Sequence, residues 1–233
     1  MTFIGSTAKR LALSVLDRSK HRGHHVWRDL RFFSRAVNDN PLVLFDVGAN
    51  VGQTAAEMGR YFPRACIYSF EPCAAAFEQL NKATSRMRNI RTLKIGLGEK
   101  EESRFIALQE HSTTNSLLRP VDDQSNFEGI NLTTADKFVS EERIERLFLL
   151  KTDTEGFDIS VLSGARLLLQ EKRIDYILTE VCFARKMALP QTDFTEVSRF
   201  LSGYGYHVCH FYETVYATGG GSALWTNALF TCR

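Results

Sequence analysis

From Pro41 onward the apolar residues switch period in alternation, two for a few residues and then 3.6, and this constrains the fold more than any other property of the chain. Residues 42–45 read as a short buried strand, followed by a helix over 52–61 with its apolar side on Ala55, Met58 and Phe62. A strand at 65–70, a helix at 74–84 and a strand at 90–95 repeat the unit. Short extra strands are expected at 105–108 and 130–133 around a polar stretch. An apolar strand at 147–152, a helix through Ile159, Leu162 and 167–169, a strand at 174–181 and a helix at 194–201 ending at Gly203 come next. Strands at 206–212 and 223–230 close the chain across a link holding Gly219, Gly220 and Gly221, and these two should pair antiparallel. Steady strand–helix alternation requires right-handed crossovers and a mostly parallel sheet covered on both faces. The fold class is therefore α/β, a doubly wound sheet, and such sheets bind ligands beyond the carboxyl ends of their strands.

The composition suits one folded domain: 233 residues, 44% hydrophobic and 24% charged. The formal charge is only +2, so the broad basic field of a nucleic-acid binder is missing and no nucleic-acid partner is expected. The longest apolar run, residues 73–77, is too short for a bilayer, so no transmembrane segment is expected. That small total hides a division. Residues 1–40 hold eight Lys and Arg against three acidic residues, which leaves residues 41–233 net acidic. Leu11, Val15 and Leu16, and again Trp27, Leu30 and Phe33, recur at helical spacing, so residues 1–40 are read as a basic helical arm and 41–233 as the catalytic domain. His21, His24 and His25 of the arm are read as solvated rather than as a metal site. Lys9 and Arg10 stand where a secretory leader would carry its apolar segment. Cys66, Cys73, Cys182, Cys209 and Cys232 form no CxxC pair and no zinc-ligand spacing, so reduced thiols in a cytoplasmic protein are expected.

Chemistry concentrates at the strand ends. Directly after the first strand, Asp46-Val-Gly-Ala-Asn-Val-Gly-Gln-Thr54 forms a glycine-containing turn into a helix. Gly48 permits the tight turn, and Gly52 lets the helix start close to a ligand or the sheet. A dinucleotide fingerprint wants a second glycine where this chain has Asn50, and Asp46 would sit badly beside a pyrophosphate. A cationic ligand fits better, which argues against a nicotinamide-dependent oxidoreductase. Glu71, before Pro72 at the end of the second strand, can accept from both hydroxyls of a ribose. Asp153 and Glu155, two residues apart at the end of 147–152, can hold an ammonium, deprotonate a hydroxyl or bind a hard divalent cation, and helix capping is their structural competitor. Glu180 ends the next strand and faces the same crevice by topology, and His111 in the polar insert is a further candidate base.

As a set, these segments resemble the FkbM family of S-adenosylmethionine-dependent methyltransferases. The resemblance rests on Asp46-Val-Gly-Ala-Asn-Val-Gly52, Phe70-Glu-Pro72, Lys151-Thr-Asp-Thr-Glu-Gly156 and Val161-Leu-Ser-Gly-Ala165. Leu132-Thr-Thr-Ala-Asp136, Thr114-Asn-Ser116 and Asn227-Ala-Leu-Phe230 are similar to further family segments, in the right order over residues 41–231. The chain departs from the family pattern at Cys73-Ala-Ala-Ala76, at the two threonines of the acidic motif and at Phe157, and residues 1–40 lie outside the resemblance. It implies a class I methyltransferase fold and methyl transfer from S-adenosylmethionine, most often to a hydroxyl of a sugar, glycan or other small-molecule natural product. The cofactor residues would be Asp46, Gly48, Ala49, Asn50, Gly52, Thr54, Glu71, Pro72, Gly96 and Ser116, and the catalytic candidates Asp153, Glu155, Glu180 and His111. A non-catalytic S-adenosylmethionine-binding module is the alternative outside enzymes, and a divalent metal is supported by nothing in the chain beyond the Asp153–Glu155 spacing.

Overall fold

The computed structural model describes residues 23, 25–37, 41–108, 127–183, 191–218 and 221–233. In chain order the elements are α1 (Val26–Phe33), β1 (Val43–Val47), α2 (Gln53–Tyr61), β2 (Cys66–Phe70), α3 (Ala74–Thr84), β3 (Ile90–Leu93), β4 (Gly96–Leu97), β5 (Glu102–Ala107) and β6 (Phe127–Thr133). They continue with α4 (Ala135–Glu141), β7 (Leu147–Thr152), α5 (Asp158–Ser163), α6 (Arg166–Gln170), β8 (Ile174–Cys182), α7 (Phe194–Ser202), β9 (His207–Tyr216) and β10 (Ala223–Thr231).

Strand β7 is buried at every position, so it needs partners on both edges and cover on both faces, and it takes the centre of a seven-stranded sheet ordered β3-β2-β1-β7-β8-β10-β9. Strands β1, β2, β3, β7 and β8 run parallel, and β10 pairs antiparallel with both β8 and β9. The strand order reverses between β1 and β7, and this switch point is where a doubly wound sheet opens its crevice. One face carries Phe45, Phe70, Leu150 and Ile177, packed under α4 to α7 through residues such as Phe138, Leu162, Leu168 and Leu201. The other carries Leu44, Phe148, Tyr176 and Tyr212 under α1 and α2. The doubly wound sheet and the antiparallel closing strands are as the alternation predicts.

Three details differ from the sequence expectation, each for a local reason. The strand expected over 90–95 breaks, and β4 leaves the main sheet to form a three-stranded one ordered β4-β6-β5. Gly96 makes the departure possible, because a Cβ there would lie 2.6 Å from Leu132 Cδ2. The single helix expected through 159–169 divides into α5 and α6 at Gly164, whose position would put a Cβ 1.9 Å from the Gly98 carbonyl oxygen. Strand β9 runs on to Tyr216 past Glu213, which stands at φ +53° where the β9–β10 register shifts.

Helix α1 buries Val26, Trp27 and Leu30 in the core beneath β1 and β7. Trp27 Nε1 donates to Glu57 Oε2 at 2.8 Å, and the buried Asp29 accepts from Tyr212 Oη at 3.0 Å and from the Gly23 amide at 2.6 Å. His25 lies against Tyr61, with Nε2 3.2 Å from its hydroxyl. His21, His24, Leu11, Val15 and Leu16 lie outside the described residues. Among the described residues no helix is long and apolar enough to cross a membrane.

Candidate active site

Asp46 and Lys151 are register partners on β1 and β7, so the glycine loop after β1 and the acidic turn after β7 emerge side by side. Gly48, at φ +75°, is the contact between them: a Cβ there would lie 2.0 Å from the Asp153 carbonyl oxygen, which no side chain tolerates. The amides of Gly48 and Ala49 both donate to the Phe70 carbonyl, at 3.1 and 3.0 Å, tying the loop to the end of β2. Asn50 stands at φ +47° and its amide donates to Glu71 Oε2 at 2.9 Å. Three successive loop amides are thus used inside the protein, whereas a pyrophosphate site needs such amides directed at the ligand. Gly52, at φ +89°, serves packing: a Cβ there would lie 2.9 Å from Leu80 Cδ1 of α3, and Gly52 does not line the cleft.

A cleft of about 270 Å³ opens over these strand ends, lined by Gly48, Ala49, Asn50, Thr54, Glu71, Pro72, Gly96, Asp153, Glu155 and Glu180 among the residues expected from sequence. His111 and Ser116, with Thr114, lie outside the described residues. At one end stands Glu71, 6% exposed, with Oε1 accepting from the Cys73 amide and Oε2 from the Asn50 amide, each at 2.9 Å. Burial raises its carboxyl above the ordinary value, and the two amides oppose that rise. Each oxygen keeps lone-pair capacity for a further donor. Beside it Leu97, Ile106, Leu132 and Phe157 line the cleft with apolar surface. Sequence reasoning missed this wall, because Ile106 and Leu132 belong to the small sheet that read only as extra strands.

Lys151 was also missed. It is 6% exposed over its side chain and its ammonium lies 3.3 Å from Asp46 Oδ1 and 3.1 Å from Asp153 Oδ2. Burial alone would lower its pKa, but the two carboxylates hold it above the ordinary lysine value. Asp46 is fully buried, lies outside the cleft lining and accepts no hydrogen bond from a described residue, so the ammonium is its counter-charge. Asp46 therefore stands behind the site, holding Lys151, while Asp153 stands in it. The one available signal was Lys151 itself, an ionisable residue inside an otherwise apolar strand.

Glu180 closes the other end. Burial first, and then the negative charges of Asp153, Glu155 and Asp158, push its carboxyl up to about 8, against the pull of Lys151. Glu155, at φ +50°, and Gly156, at φ +94°, make the sharp turn that brings these carboxyls together. Asp158, buried at the start of α5, accepts from Thr192 Oγ1 at 2.8 Å. Among the described residues no group of three or more His, Cys, Asp or Glu side chains is arranged to hold a metal ion.

The family model of the methyltransferase FkbM domain matches residues 46–208, most of the chain and all of the cleft's strand ends. The protein belongs to this family. Among curated relatives it is 24% identical over 189 residues to Methyltransferase 1 of Beauveria bassiana, covering 71% of this chain and 72% of the relative. It is also 24% identical over 157 residues to Methyltransferase sdnD of Sordaria araneosa, covering 54% of this chain and 60% of that protein. A solved structure, the METTL16 MTase domain, matches with a TM-score of 0.52 at 10% identity, over 90% of this chain and 66% of that one, and shares the fold. The fold is thus the class I methyltransferase fold, and the methyl donor of the family is S-adenosylmethionine. The chemistry of the lining fits that donor: Glu71 keeps lone-pair capacity for a diol, Leu97, Ile106 and Leu132 offer apolar surface, and carboxyls outnumber the one lysine among the described residues lining the cleft.

Proposed function

We propose that this methyltransferase acts on a hydroxyl group of a sugar, glycan or other small-molecule acceptor, with Glu180 as the general base. The observation that carries the reading is Glu180 itself, a half-buried carboxyl at the acceptor end of the cleft whose pKa of about 8 makes it a far better proton acceptor than an ordinary glutamate. S-adenosylmethionine, when bound, supplies an electrophilic methyl group on a positively charged sulfur. Glu71, with the loop at 48–50, would hold the nucleoside part, and Asp153, paired with the Lys151 ammonium, would face positive charge. Phe157 and Leu132 exclude water from one side, and Glu180 takes the hydroxyl proton as the oxygen becomes the nucleophile. The surplus of carboxylates in the cleft supports a neutral or cationic acceptor over a nucleic acid. Among the described residues no disulfide joins the five cysteines, which suits work in a reducing cytoplasm.

The test is to incubate the enzyme with labelled S-adenosylmethionine and panels of hydroxylated sugars and natural products, and to locate the new methyl group by mass spectrometry and NMR. Methyl ether formation is expected. A methyl group found only on nitrogen or carbon would remove the hydroxyl reading.

A further inference from the structure

We propose that Glu180 exchanges a proton against the charge of the methyl donor, releasing it when the cationic donor enters the cleft and regaining one from the acceptor as the methyl group moves. The inference rests on the hydroxyl-methylation reading above and adds a coupling between donor binding and activation of the base.

The argument starts from a count of charges. Glu71, Asp153, Glu155 and Glu180 line the cleft, and Lys151 is the only cation among the described residues lining it. That ammonium is already shared between Asp46 and Asp153. Glu180 faces Lys151 on β7, Asp153 and Glu155 in the turn after it, and Asp158 on α5. The four carboxyls also border a second small cavity with Gln191 and Thr192. On its other flank the cross-strand partner is Asn227 of β10, whose amide donates to Glu213 Oε2 of β9 at 3.1 Å. Asp193, ahead of α7, turns to the amides of Thr195 and Glu196 at 2.7 and 3.1 Å. Glu71 stands across the cleft. The anions beside Glu180 raise the cost of ionising it, and the one cation among the described residues lining the cleft is shared between Asp46 and Asp153, in line with a carboxyl raised to about 8. A sulfonium in the same cleft adds the missing positive charge and favours the carboxylate.

The reaction then balances. The acceptor oxygen forms the O–CH3 bond, the S–CH3 bond breaks with its electron pair passing to sulfur, and the hydroxyl proton passes to the Glu180 carboxylate. Glu180 begins as an anion beside a sulfonium and ends neutral beside a neutral thioether, so the net charge of the cleft is unchanged. The base is made ready only when there is a methyl group to transfer.

Calorimetry on the full chain tests this without any acceptor. S-adenosylmethionine is titrated at pH 7 in buffers of different ionisation enthalpy, and the dependence of the heat on buffer gives the protons released. An acid that titrates at about 8 and ionises on binding should release close to one, about 0.9. The donor's own α-ammonium can also exchange a proton on binding, so S-adenosylhomocysteine, which carries an α-ammonium and lacks the sulfonium, is the control and should release far less. Glu180→Gln should bind S-adenosylmethionine with the release reduced to the homocysteine level. Equal release for the two ligands on the wild-type protein overturns the proposal, as does a release that survives in Glu180→Gln. The comparison of ligands on the wild type decides the matter even if the variant folds poorly. A nitrogen- or carbon-methylated product beside an intact proton release would refute the hydroxyl reading and leave the linkage standing.

Discussion

Two glutamates near strand ends of the same sheet face the same cleft, and burial raises both carboxyls, yet their neighbours then act on them in opposite directions. Glu71, after β2, has both oxygens held by backbone amides, which fixes its orientation and opposes the rise that burial imposes. Glu180, at the end of β8, is surrounded by other carboxyls, and its charge is opposed. A held carboxylate is a binding group; an opposed one is a proton acceptor. On the proposed reading, these surroundings make Glu71 part of a donor half of the cleft and Glu180 part of an acceptor half.

The sharpest way to break this contrast is to neutralise each glutamate in turn. Glu180→Gln should lower kcat by roughly 100-fold to 10,000-fold, the usual range for loss of a general base, and should weaken donor binding at pH 7 by about 10-fold or more, since a donor that displaces the proton binds the carboxylate more tightly than a neutral side chain. Wild-type kcat/KM for S-adenosylmethionine should rise with pH and level off above about 8, where the free enzyme has already lost the Glu180 proton, and the variant should lose that rise. A pH profile unchanged by the substitution would take Glu180 out of the chemistry. Next in size is Lys151→Met, which leaves Asp46 buried without a counter-charge and should cost about 3–5 kcal/mol of stability by denaturant unfolding; adding Asp46→Asn should recover part of the loss. Glu71→Ala should weaken S-adenosylmethionine binding on the order of 10-fold, from the loss of charge-assisted hydrogen bonds of about 1.5–3 kcal/mol, while kcat at saturating donor changes less than in Glu180→Gln. Unchanged affinity would remove Glu71 from the donor half. The smallest expected effect is that of excess chelator. Lys151 already occupies the cation's place at Asp153, so activity should be unaffected, and a loss restored by Mg²⁺ would show that a metal shares the acceptor half.

How much of this could be read in advance follows from the range of the interactions. Alternation of period is local, so the sheet, its crossovers and the carboxyl-end position of Gly48, Glu71, Asp153 and Glu180 were all visible in the chain. The function of Lys151 was not, because it depends on β1 and β7 pairing with Asp46 opposite Lys151, a register that no local pattern states. The wall formed by Ile106 and Leu132 was hidden for a similar reason, since it requires β4 to leave the main sheet. Gly52 shows a subtler failure: the glycine was expected for approach to a ligand or the sheet, and it is required by Leu80 and Ala83 of the neighbouring helix. Glu71 was placed correctly at its strand end, but the amides of Asn50 and Cys73 that hold it emerge only once the loop is folded.

The contact at Gly48 has a consequence for anyone redesigning this enzyme. With 2.0 Å between the position of an absent Cβ and the Asp153 carbonyl oxygen, the donor loop and the acidic turn share a wall one atom thick. Mutations that re-shape the turn at 153–157 to admit a new acceptor will move the donor loop with it, so acceptor scope and donor affinity will trade against each other. Asn227 on β10, the cross-strand partner of Glu180, and Glu213 on β9, which accepts from it, lie away from that contact, so substitutions there alter the flank of Glu180 without touching the Gly48–Asp153 wall.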